Sequence, residues 1–424
     1  MDMLLRSLFL IALIVAIDLY VFQAFRFVFR DSSVGIQKAT FIIFWALTAF
    51  SVSVIVAALL TDFQNWPKAF RTYATAFIFI LTISKLFIVI FLLTDDILRG
   101  VRWVFGKVFT TSSVASNANT DAPAVKGGIS RSDFLVKTGI LVASLPFISL
   151  IWGMAKGAYD YQVKKIKIKL PNLPSEFEGY RILQISDLHT GSFVSTEPLT
   201  EAVKIINAQN ADLILFTGDL VNNKHEEVIQ HMPVLSQIKS KHGVYSILGN
   251  HDYGDYVQWD SKEEKEKNLA DLIQSHKDMG WDILLDEHRI IEKNGQSIGL
   301  IGVQNWSMHL RFPKYGSMEK ATKGIAYQPV NILMSHDPSH WRGEIIDKYP
   351  QVDLMLAGHT HGFQFGIDLP NFKWSPVQYI YKEWAGIYNQ GKQHLYVNRG
   401  LGFLGYPGRV GVLPEITILE LSRA

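Results

Sequence analysis

The sequence predicts an α-helical membrane region followed by a layered α/β domain. Two observations lead to this fold class. Four segments near the N-terminus are almost free of charge, and each is close to the ~20 residues that a helix needs to cross the hydrocarbon core of a bilayer. Further along the chain, short apolar runs alternate with helical patterns, as in domains whose β-sheets are covered by helices.

Composition and charge limit the class of protein. The chain has 424 residues and a formal net charge of +2, which disfavours a nucleic-acid binder because such proteins carry strong basic fields. It contains no cysteine, so disulfides and thiolate metal sites are excluded. The length suffices for two or three domains, and we divide the chain into a membrane region at 1–156 and a second domain at 157–424.

The four apolar segments predict transmembrane helices. They run over residues 7–25, 39–60, 73–93 and 138–155. Asp18 and Lys85 interrupt the first and third segments, and they form either an intramembrane ion pair, part of a pathway, or a polar contact inside a helix bundle. Between the third and fourth helices, residues 111–128 are rich in Ser, Asn, Ala and Gly and predict a flexible linker.

Positive charges in the loops favour a location of both termini outside the cytoplasm. The loop after the first helix and the loop before the fourth carry more Lys and Arg than the short loop between them, and such loops face the cytoplasm. Four lysines after the last helix argue for the opposite side: Lys164, Lys165, Lys167 and Lys169. We predict a multi-pass protein of the cell (inner) membrane, with its second domain outside the cytoplasm.

Short apolar runs in the second domain predict strands. They are residues 182–185, 213–216, 244–248, 298–303, 332–334, 354–356, 395–397 and 416–419. Residues 198–210 and 261–279 have the capping residues and apolar spacing of helices. The alternation predicts sheets packed as a sandwich, with helices outside.

Five of the predicted strands end in side chains that bind metal ions. The stretches are "ILQISDLHTG", "LILFTGDLV", "YSILGNHD", "ILMSHDPS" and "LMLAGHTHG". They supply Asp187, His189, Asp219, Asn250, His251, His336, His359 and His361. Residues i and i+2 of an extended segment share one face, so each Asp-x-His or His-x-His pair can converge on one point. The carboxyl ends of strands are where sites form in layered α/β folds.

Taken together, these residues favour a pair of divalent metal ions. Each motif alone is weak, and a lone His336 is more commonly a hydrogen-bonded structural residue. Burying so many carboxylates, amides and imidazoles without a cation would cost many kcal/mol. A ligand set of imidazole, carboxylate and amide oxygen without sulfur favours Mn, Fe or Zn over calcium. Gly218, Gly249 and Gly358 would permit sharp turns and close approach beside this centre.

The stretches "DLH", "GDLV", "GNHD", "SHD" and "GHTHG" resemble the five signature blocks of the calcineurin-like metallophosphoesterases, and the resemblance extends over residues 180–421. The ending "VNRGLGFLGYPGRVGVLPEI" is similar to that of the membrane-tethered branch. The resemblance implies a four-layer sandwich of two mixed β-sheets flanked by helices. It also implies a phosphoesterase that hydrolyses a phosphate mono- or diester with a metal-activated water.

The resemblance assigns roles to the residues. One metal ion would be held by Asp187, His189, Asp219 and His361, and the other by Asp219, Asn250, His336 and His359. Asp219 would bridge the two ions. His251 would act on the substrate as an acid or charge stabiliser, and Asp252 would orient it.

The region around the predicted site offers two further hypotheses. Arg399 and Arg409 either bind a second phosphate or head group or are ordinary structural arginines. Two stretches, 303–312 and 362–386, are unusually aromatic. They either form a lip that contacts the bilayer interface or the tail of a lipid, or they complete the core. Their aromatic residues are Trp306, Phe363, Phe372, Trp374, Tyr379, Tyr381 and Trp384.

We expect a membrane-anchored enzyme with a lipid-linked or envelope phosphate ester as substrate. The expected partners are that ester and the lipid bilayer, with no nucleic acid and no protein partner predicted. The resemblance includes bacterial enzymes that cleave UDP-diacylglucosamine, but that lipid is reached from the cytosol, which conflicts with a domain outside. The alternatives are an anchored phosphatase or nucleotide phosphodiesterase with a soluble substrate, a non-catalytic receptor or scaffold, and a transporter.

Overall fold

The computed structural model describes residues 2–61, 63–109 and 131–424. Its contacts divide the chain into two compact units, Met1–Ile151 and Trp152–Ala424. The predicted linker at 111–128 lies outside the described residues. The predicted domain division after residue 156 stays a prediction.

Four long helices begin the chain, as the apolar segments predict. They are α1 (Asp2–Val28), α2 (Val34–Leu60), α3 (Lys68–Phe109) and α4 (Arg131–Ala155). Each contains a stretch that is long and apolar enough to cross a membrane. Helix α3 extends well beyond the predicted 73–93, because it continues through polar residues that pair along its surface. Arg99 Nε lies 3.3 Å from the Asp95 carboxylate one turn earlier and also pairs with Asp96.

Asp18 and Lys85 form an ion pair within the first unit. Lys85 Nζ lies 2.6 Å from Asp18 Oδ1, and the Thr48 hydroxyl donates to Asp18 Oδ2 at 2.5 Å. The Lys85 ammonium also lies 4.9 Å from the centre of the Phe44 ring, which adds a cation–π contact. Asp18 is buried. Its charge is therefore balanced where water is excluded.

The second unit contains two six-stranded sheets and a two-stranded ribbon. The first sheet has the spatial order β1 (Gln162–Leu170), β14 (Glu415–Arg423), β2 (Arg181–Ile185), β3 (Leu213–Phe216), β4 (Val244–Ser246) and β5 (Trp281–Ile283). The second has the order β12 (Gly386–Gln390), β13 (Gln393–Val397), β9 (Leu354–Ala357), β8 (Asn331–Met334), β7 (Gln296–Gly302) and β6 (Glu287–Lys293). The ribbon pairs β10 (Ile367–Leu369) with β11 (Phe372–Trp374).

Helices cover the outer faces of the two sheets. They are α5 (Glu197–Ala208), α6 (Glu226–Ile229), α7 (Met232–Leu235), α8 (Lys262–Asp278), α9 (Met318–Ala321) and α10 (Ile346–Lys348). One buried cluster joins inward side chains of both sheets, such as Leu215 and Leu356. Others lie between a sheet and its outer cover, with Leu199 of α5 in one and Trp341 in another. The four-layer α/β sandwich is confirmed.

The strands that precede the motifs end at one edge of the molecule. β2, β3 and β4 are parallel neighbours in the first sheet, and β8 and β9 are parallel neighbours in the second. Their carboxyl ends therefore point the same way within each sheet. The side chain of Gln184 in β2 donates to the carbonyl oxygen of Ala357 in β9 at 2.9 Å, so the two edges meet.

Strand β1 was not predicted. Its lysines alternate with Ile166 and Ile168, and Ile168 is buried while the lysines at 165, 167 and 169 are exposed. This two-residue period is that of a half-buried strand, and β1 pairs in parallel with β14. The four lysines that argue for a cytoplasmic location thus lie in this strand.

Candidate metal centre

Five candidate ligands have an unusual backbone conformation at the strand ends. Asp187, His189, Asp219, His359 and His361 have φ between +47° and +71°. The left-handed region costs a non-glycine residue about 1–2 kcal/mol. Such strain persists where surrounding structure enforces it, and it gathers at functional sites. The clustering therefore marks these strand ends as a functional site.

Asp187, His189 and His361 form a first cluster. His189 Nε2 lies 2.9 Å from His361 Nε2, which lies 3.2 Å from Asp187 Oδ1. All three side chains are buried. Two imidazole nitrogens facing each other at this separation need a proton or a cation between them, because lone pairs on both repel. The donor set and its crowding fit a divalent metal.

Asp219, His336 and His359 form a second cluster, with ligand atoms within 4.8 Å of one another. His336 Nε2 lies 3.1 Å from Asp219 Oδ2, while its Nδ1–H donates to the Thr217 carbonyl oxygen at 2.7 Å. That contact leaves Nε2 available to a metal. His359 Nδ1 lies 2.7 Å from Asn250 Oδ1, so Asn250 adds an amide oxygen to the cluster.

Asp219 joins the two clusters. Its Oδ2 lies 3.5 Å from His189 Nε2 in the first cluster and 3.1 Å from His336 Nε2 in the second. Its Oδ1 accepts a hydrogen bond from the backbone N–H of His251 at 2.9 Å. One carboxylate oxygen thus faces imidazoles of both clusters while the other fixes the orientation of the group.

The electrostatics of the site favour positive charge beside Asp219. Burial disfavours the imidazolium form of His336, yet the Asp219 carboxylate raises the pKa of this residue to about 10. Burial lowers the pKa of His189 and of His359. Burial would raise the pKa of Asp187, but the neighbouring His361 lowers it. Asp187 is therefore ionised, and His189 and His359 are neutral, which is the form in which an imidazole binds a metal ion.

Asp252 does not orient His251, so that prediction is wrong. The Asp252 carboxylate accepts hydrogen bonds from four backbone N–H groups, those of Asp219, Leu220, Val221 and Gly249, at 2.8–3.2 Å. Burial and the nearby Asp219 raise the pKa of Asp252 to about 7. Its contacts hold together the turns that carry Asp219 and Asn250.

His251 is oriented by a backbone carbonyl group instead. Its Nδ1–H donates to the carbonyl oxygen of Asn222 at 2.7 Å, so Nε2 is the nitrogen left for chemistry. The ring centre lies 5.0 Å from that of His189 and 4.5 Å from that of Tyr256. His251 is half-buried beside the first cluster and belongs to neither three-residue group. Its action on the substrate stays a prediction.

Sequence reasoning did not find three residues that support the ligands. Tyr381 Oη lies 2.9 Å from His359 Nε2 and donates to Asp337 Oδ2 at 3.0 Å. Tyr256 Oη accepts from the Asn250 side-chain amide at 2.8 Å. Asp337 follows His336 directly, a signal that could have drawn attention to it. Tyr381 was considered only as an aromatic lip or core residue.

Arg399 and Arg409 lie in buried contacts of the protein itself. Arg399 pairs with Glu415 and, at 3.1 Å, with Asp368. Arg409 donates to the carbonyl oxygens of Gly402 and Arg399 at 2.9 and 2.8 Å, and its Nη2 lies 3.2 Å from His361 Nδ1. Both side chains are almost fully buried. These contacts favour the structural alternative, and binding of a phosphate group stays a prediction.

Two glycines allow the ligands to crowd together. A Cβ at Gly249 would collide with the Asp219 carboxylate, and one at Gly358 would collide with that of Asp187. Both residues precede ligands, Asn250 in one case and His359 in the other. The glycines of the "GNHD" and "GHTHG" stretches are therefore needed for close approach.

A sandwich with two Asp/His clusters at the carboxyl ends of its strands defines an α/β protein with a candidate metal centre, and comparisons with known proteins give its family. Residues 180–363 match the model of the calcineurin-like phosphoesterase. Residues 3–158 match a second model, described as the probable calcineurin-like phosphoesterase, transmembrane domain. The chain belongs to the calcineurin-like metallophosphoesterases, as the sequence motifs predicted.

Relatives support the same assignment. The chain is 31% identical to the uncharacterized metallophosphoesterase YkuE of Bacillus subtilis over 263 residues. The aligned region covers 60% of this chain and 83% of YkuE. Over 337 residues it is 27% identical to a transmembrane protein with metallophosphoesterase domain of Danio rerio, covering 77% and 71% of the two chains. It is also 27% identical to phosphodiesterase YaeI of Escherichia coli, covering 69% and 99%. The protein is a membrane-associated, metal-dependent phosphoesterase.

Proposed function

We propose that the protein hydrolyses a phosphate mono- or diester at a membrane with a dinuclear metal centre. One observation carries the proposal. Oδ2 of Asp219 faces His189 Nε2 at 3.5 Å and His336 Nε2 at 3.1 Å, so a single carboxylate oxygen is shared by two ligand clusters. A carboxylate in this position can bridge two cations.

The proposed ligands are divided between the two ions as follows. Asp187, His189, Asp219 and His361 would hold one ion, and Asp219, Asn250, His336 and His359 would hold the other. Nitrogen and oxygen donors without sulfur suit Mn, Fe or Zn. Two such ions supply Lewis-acid chemistry: they lower the pKa of a water molecule and neutralise charge on the phosphoryl group.

The side chains around the ligands have separate tasks in this proposal. His251, oriented through Asn222, donates a proton from Nε2 to the leaving oxygen of the ester. Tyr381 and Asp337 hold His359 so that its Nδ1 faces Asn250. Asp252 fixes the backbone from Asp219 onwards and the backbone just before Asn250. Arg409 packs against His361 and stabilises the loop that carries it.

A turnover assay of the full chain in detergent tests this activity. We expect hydrolysis of p-nitrophenyl phosphate or bis(p-nitrophenyl) phosphate that a chelator abolishes and that Mn, Fe or Zn restores. Asp219→Asn should abolish it, and Asp260→Asn, at an exposed carboxylate, should retain it. Metal bound at full occupancy without turnover of either ester would support the receptor or scaffold alternative instead.

We propose a lipid-linked or envelope-associated ester as the substrate. The support is the fourth apolar helix, which runs to Ala155 and is followed within a few residues by β1 of the catalytic sandwich. The test compares kcat/KM for a long-chain lipid phosphate in mixed micelles with that for a nucleotide or a short-chain analogue. A marked preference for the soluble ester would favour an anchored phosphatase or nucleotide phosphodiesterase.

We further propose that the catalytic unit lies outside the cytoplasm, on the inner membrane of a bacterial cell. The charge difference between the loops supports this side, whereas the lysines of β1, close after the end of α4, favour the opposite one. Protease added to intact spheroplasts should remove a C-terminal tag. A tag that is degraded only after lysis would place the unit in the cytoplasm.

A further inference from the structure

An exposed apolar segment lies directly after the last candidate ligand. We call residues 363–380 the apolar ribbon, because the paired strands β10 and β11 form its centre. Its exposed apolar side chains are Phe363, Ile367, Leu369, Phe372, Tyr379 and Ile380. Phe372 is 56% exposed and Tyr379 77%, whereas Tyr381 and Trp384, just beyond the ribbon, are buried. The aromatic stretch 362–386 thus contains both core residues and an exposed apolar patch. Exposed apolar patches are typical of surfaces that contact another protein, a ligand or a membrane.

The ribbon has its polar face inside and its apolar face outside. Strand alternation puts Asp368 on the opposite face from Ile367 and Leu369. Asp368 accepts from Lys164 Nζ at 2.6 Å and from Arg399 at 3.1 Å, so the charged face is fastened to the body of the unit. A sheet with one face in water has the reverse arrangement. The outer face is therefore built for an apolar environment.

The ribbon is tied to the end of the fourth apolar helix. The backbone N–H of Arg409 donates to the carbonyl oxygen of Gly153, in the last turn of α4, at 3.2 Å. The next residue, Val410, exchanges hydrogen bonds with Gln364 and Gly366, at 2.8 and 2.9 Å. Gly366 immediately precedes β10. At ~3.3 Å per residue, Leu369 lies within about 10 Å of Gly366.

The last turn of α4 and the residue after it carry side chains that are common at a membrane surface. Trp152 is exposed, and the Lys156 ammonium lies 5.5 Å from the centre of its ring. Tryptophan and lysine at the end of an apolar helix are typical of the layer where lipid head groups meet water. The segment formed by Arg409 and Val410 is hydrogen-bonded to this turn through Arg409 and to the ribbon through Val410.

We propose that the outer face of the apolar ribbon lies in the interfacial layer of the bilayer that α4 crosses. The ribbon then brings the edge of the metal centre against the membrane surface, since Phe363 follows His361 after a single glycine. In that position the site takes a phosphate ester whose acyl chains remain in the bilayer, which is the part of the proposal that rests on the proposed function.

Site-directed labelling tests the location of the ribbon without any enzyme assay. The chain has no cysteine, so Phe372→Cys and Tyr379→Cys each give one site for a nitroxide label. Ile229→Cys is the matched control, because Ile229 is 50% exposed in the same unit. In vesicles of phosphatidylcholine and phosphatidylglycerol, the labels at 372 and 379 should be relaxed by oxygen and shielded from a water-soluble nickel chelate. The label at 229 should be accessible to the nickel chelate and relaxed less by oxygen.

Two results would overturn the interfacial location. One is equal access of the nickel chelate to labels 372 and 229. The other is a short dipolar distance between labels at 372 on two chains, which would make a second copy of this chain the partner.

A kinetic comparison tests the substrate class separately. The double variant Leu369→Ser/Phe372→Ser should lower kcat/KM about tenfold or more for a lipid phosphate in vesicles, because two large side chains leave the bilayer. It should leave turnover of p-nitrophenyl phosphate unchanged, and Ile229→Ser should change neither. An equal fall for both esters would overturn the lipid substrate. Absence of turnover in the unmodified chain would instead refute the proposed function, while the labelling result would still decide the ribbon's location.

Discussion

The hydroxyl group of Tyr381 lies 2.9 Å from Nε2 of His359 and donates to Asp337 at 3.0 Å. His359 therefore donates from Nε2 to Tyr381 and keeps Nδ1 for the cluster that contains Asn250. A metal-binding imidazole whose second nitrogen is held in this way has a fixed ring orientation and greater basicity. Tyr381 and His359 are 22 residues apart along the chain, and only the fold brings them together.

Tyr381→Phe removes this contact and keeps the ring. We expect the affinity of the second metal ion to fall by about 10–100-fold, because His359 loses the partner that orients it. Metal titration of the full chain measures the change. Tyr379→Phe, at an exposed tyrosine outside the site, should leave both affinities unchanged. Equal affinities in Tyr381→Phe and the unmodified chain would show that His359 needs no such support.

His251→Ala separates catalysis from metal binding. The variant should lose about 100-fold or more in kcat, since it removes the proposed proton donor. Its metal content should remain near that of the unmodified chain, because the imidazole belongs to neither cluster. Loss of metal in this variant would make His251 a ligand and would remove its assigned role.

Asp252→Asn tests the corrected role of this residue. The Asp252 carboxylate accepts hydrogen bonds from four backbone N–H groups, and the side-chain amide of Asn would place its own N–H group against some of them. We therefore expect the free energy of unfolding to fall by about 1–3 kcal/mol. Denaturant unfolding in detergent measures this loss, with Asp278→Asn at an exposed site as the control. A variant as stable as the unmodified chain would mean that the four hydrogen bonds contribute little.

His276 makes the second unit sensitive to acid. Burial lowers the pKa of His276 to about 3, and its Nδ1 lies 3.0 Å from the Ser246 hydroxyl. The unfolded chain takes up a proton near pH 6.5, whereas the folded chain does so only near pH 3. The neutral His276 therefore makes its full contribution to the free energy of unfolding above pH 6.5. As the pH falls from 6.5 to 3, the free energy of unfolding decreases by up to about 1.4 kcal/mol per pH unit.

The acid sensitivity is tested with His276→Gln, which has no titrating group there. Its urea midpoint should depend less steeply on pH between 6 and 4 than that of the unmodified chain. Parallel pH profiles for the two proteins would exclude His276 as a source of the acid sensitivity.

The sequence was informative where chemistry and local pattern coincide. A buried strand such as β3 is an unbroken apolar run, and Asp219, which follows it closely, stands out. The same contrast identified the other strand ends and the four apolar helices. The start of α8 at Ser261 was also predicted. The structure confirms it, because the Ser261 hydroxyl accepts a hydrogen bond from the Glu264 backbone N–H at 3.1 Å.

Contacts between distant segments were beyond this reasoning. Asp252 follows His251, and proximity in sequence suggested a contact that the fold does not make. Tyr381 has no local signal for its place behind His359. β1 was missed because its lysines, seen without the partner strand β14, are indistinguishable from charges that flank a membrane helix.

Metal counting in single-residue variants tests the central claim, that one carboxylate serves two ions, most directly. The unmodified chain, loaded and then desalted, should retain two divalent ions, the number that a bridged centre binds. His361→Ala and His336→Ala should each lose mainly the ion that the changed residue holds, whereas Asp219→Asn should lose both. Retention of one ion in full by Asp219→Asn would contradict the account, because Asp219 would then belong to a single site.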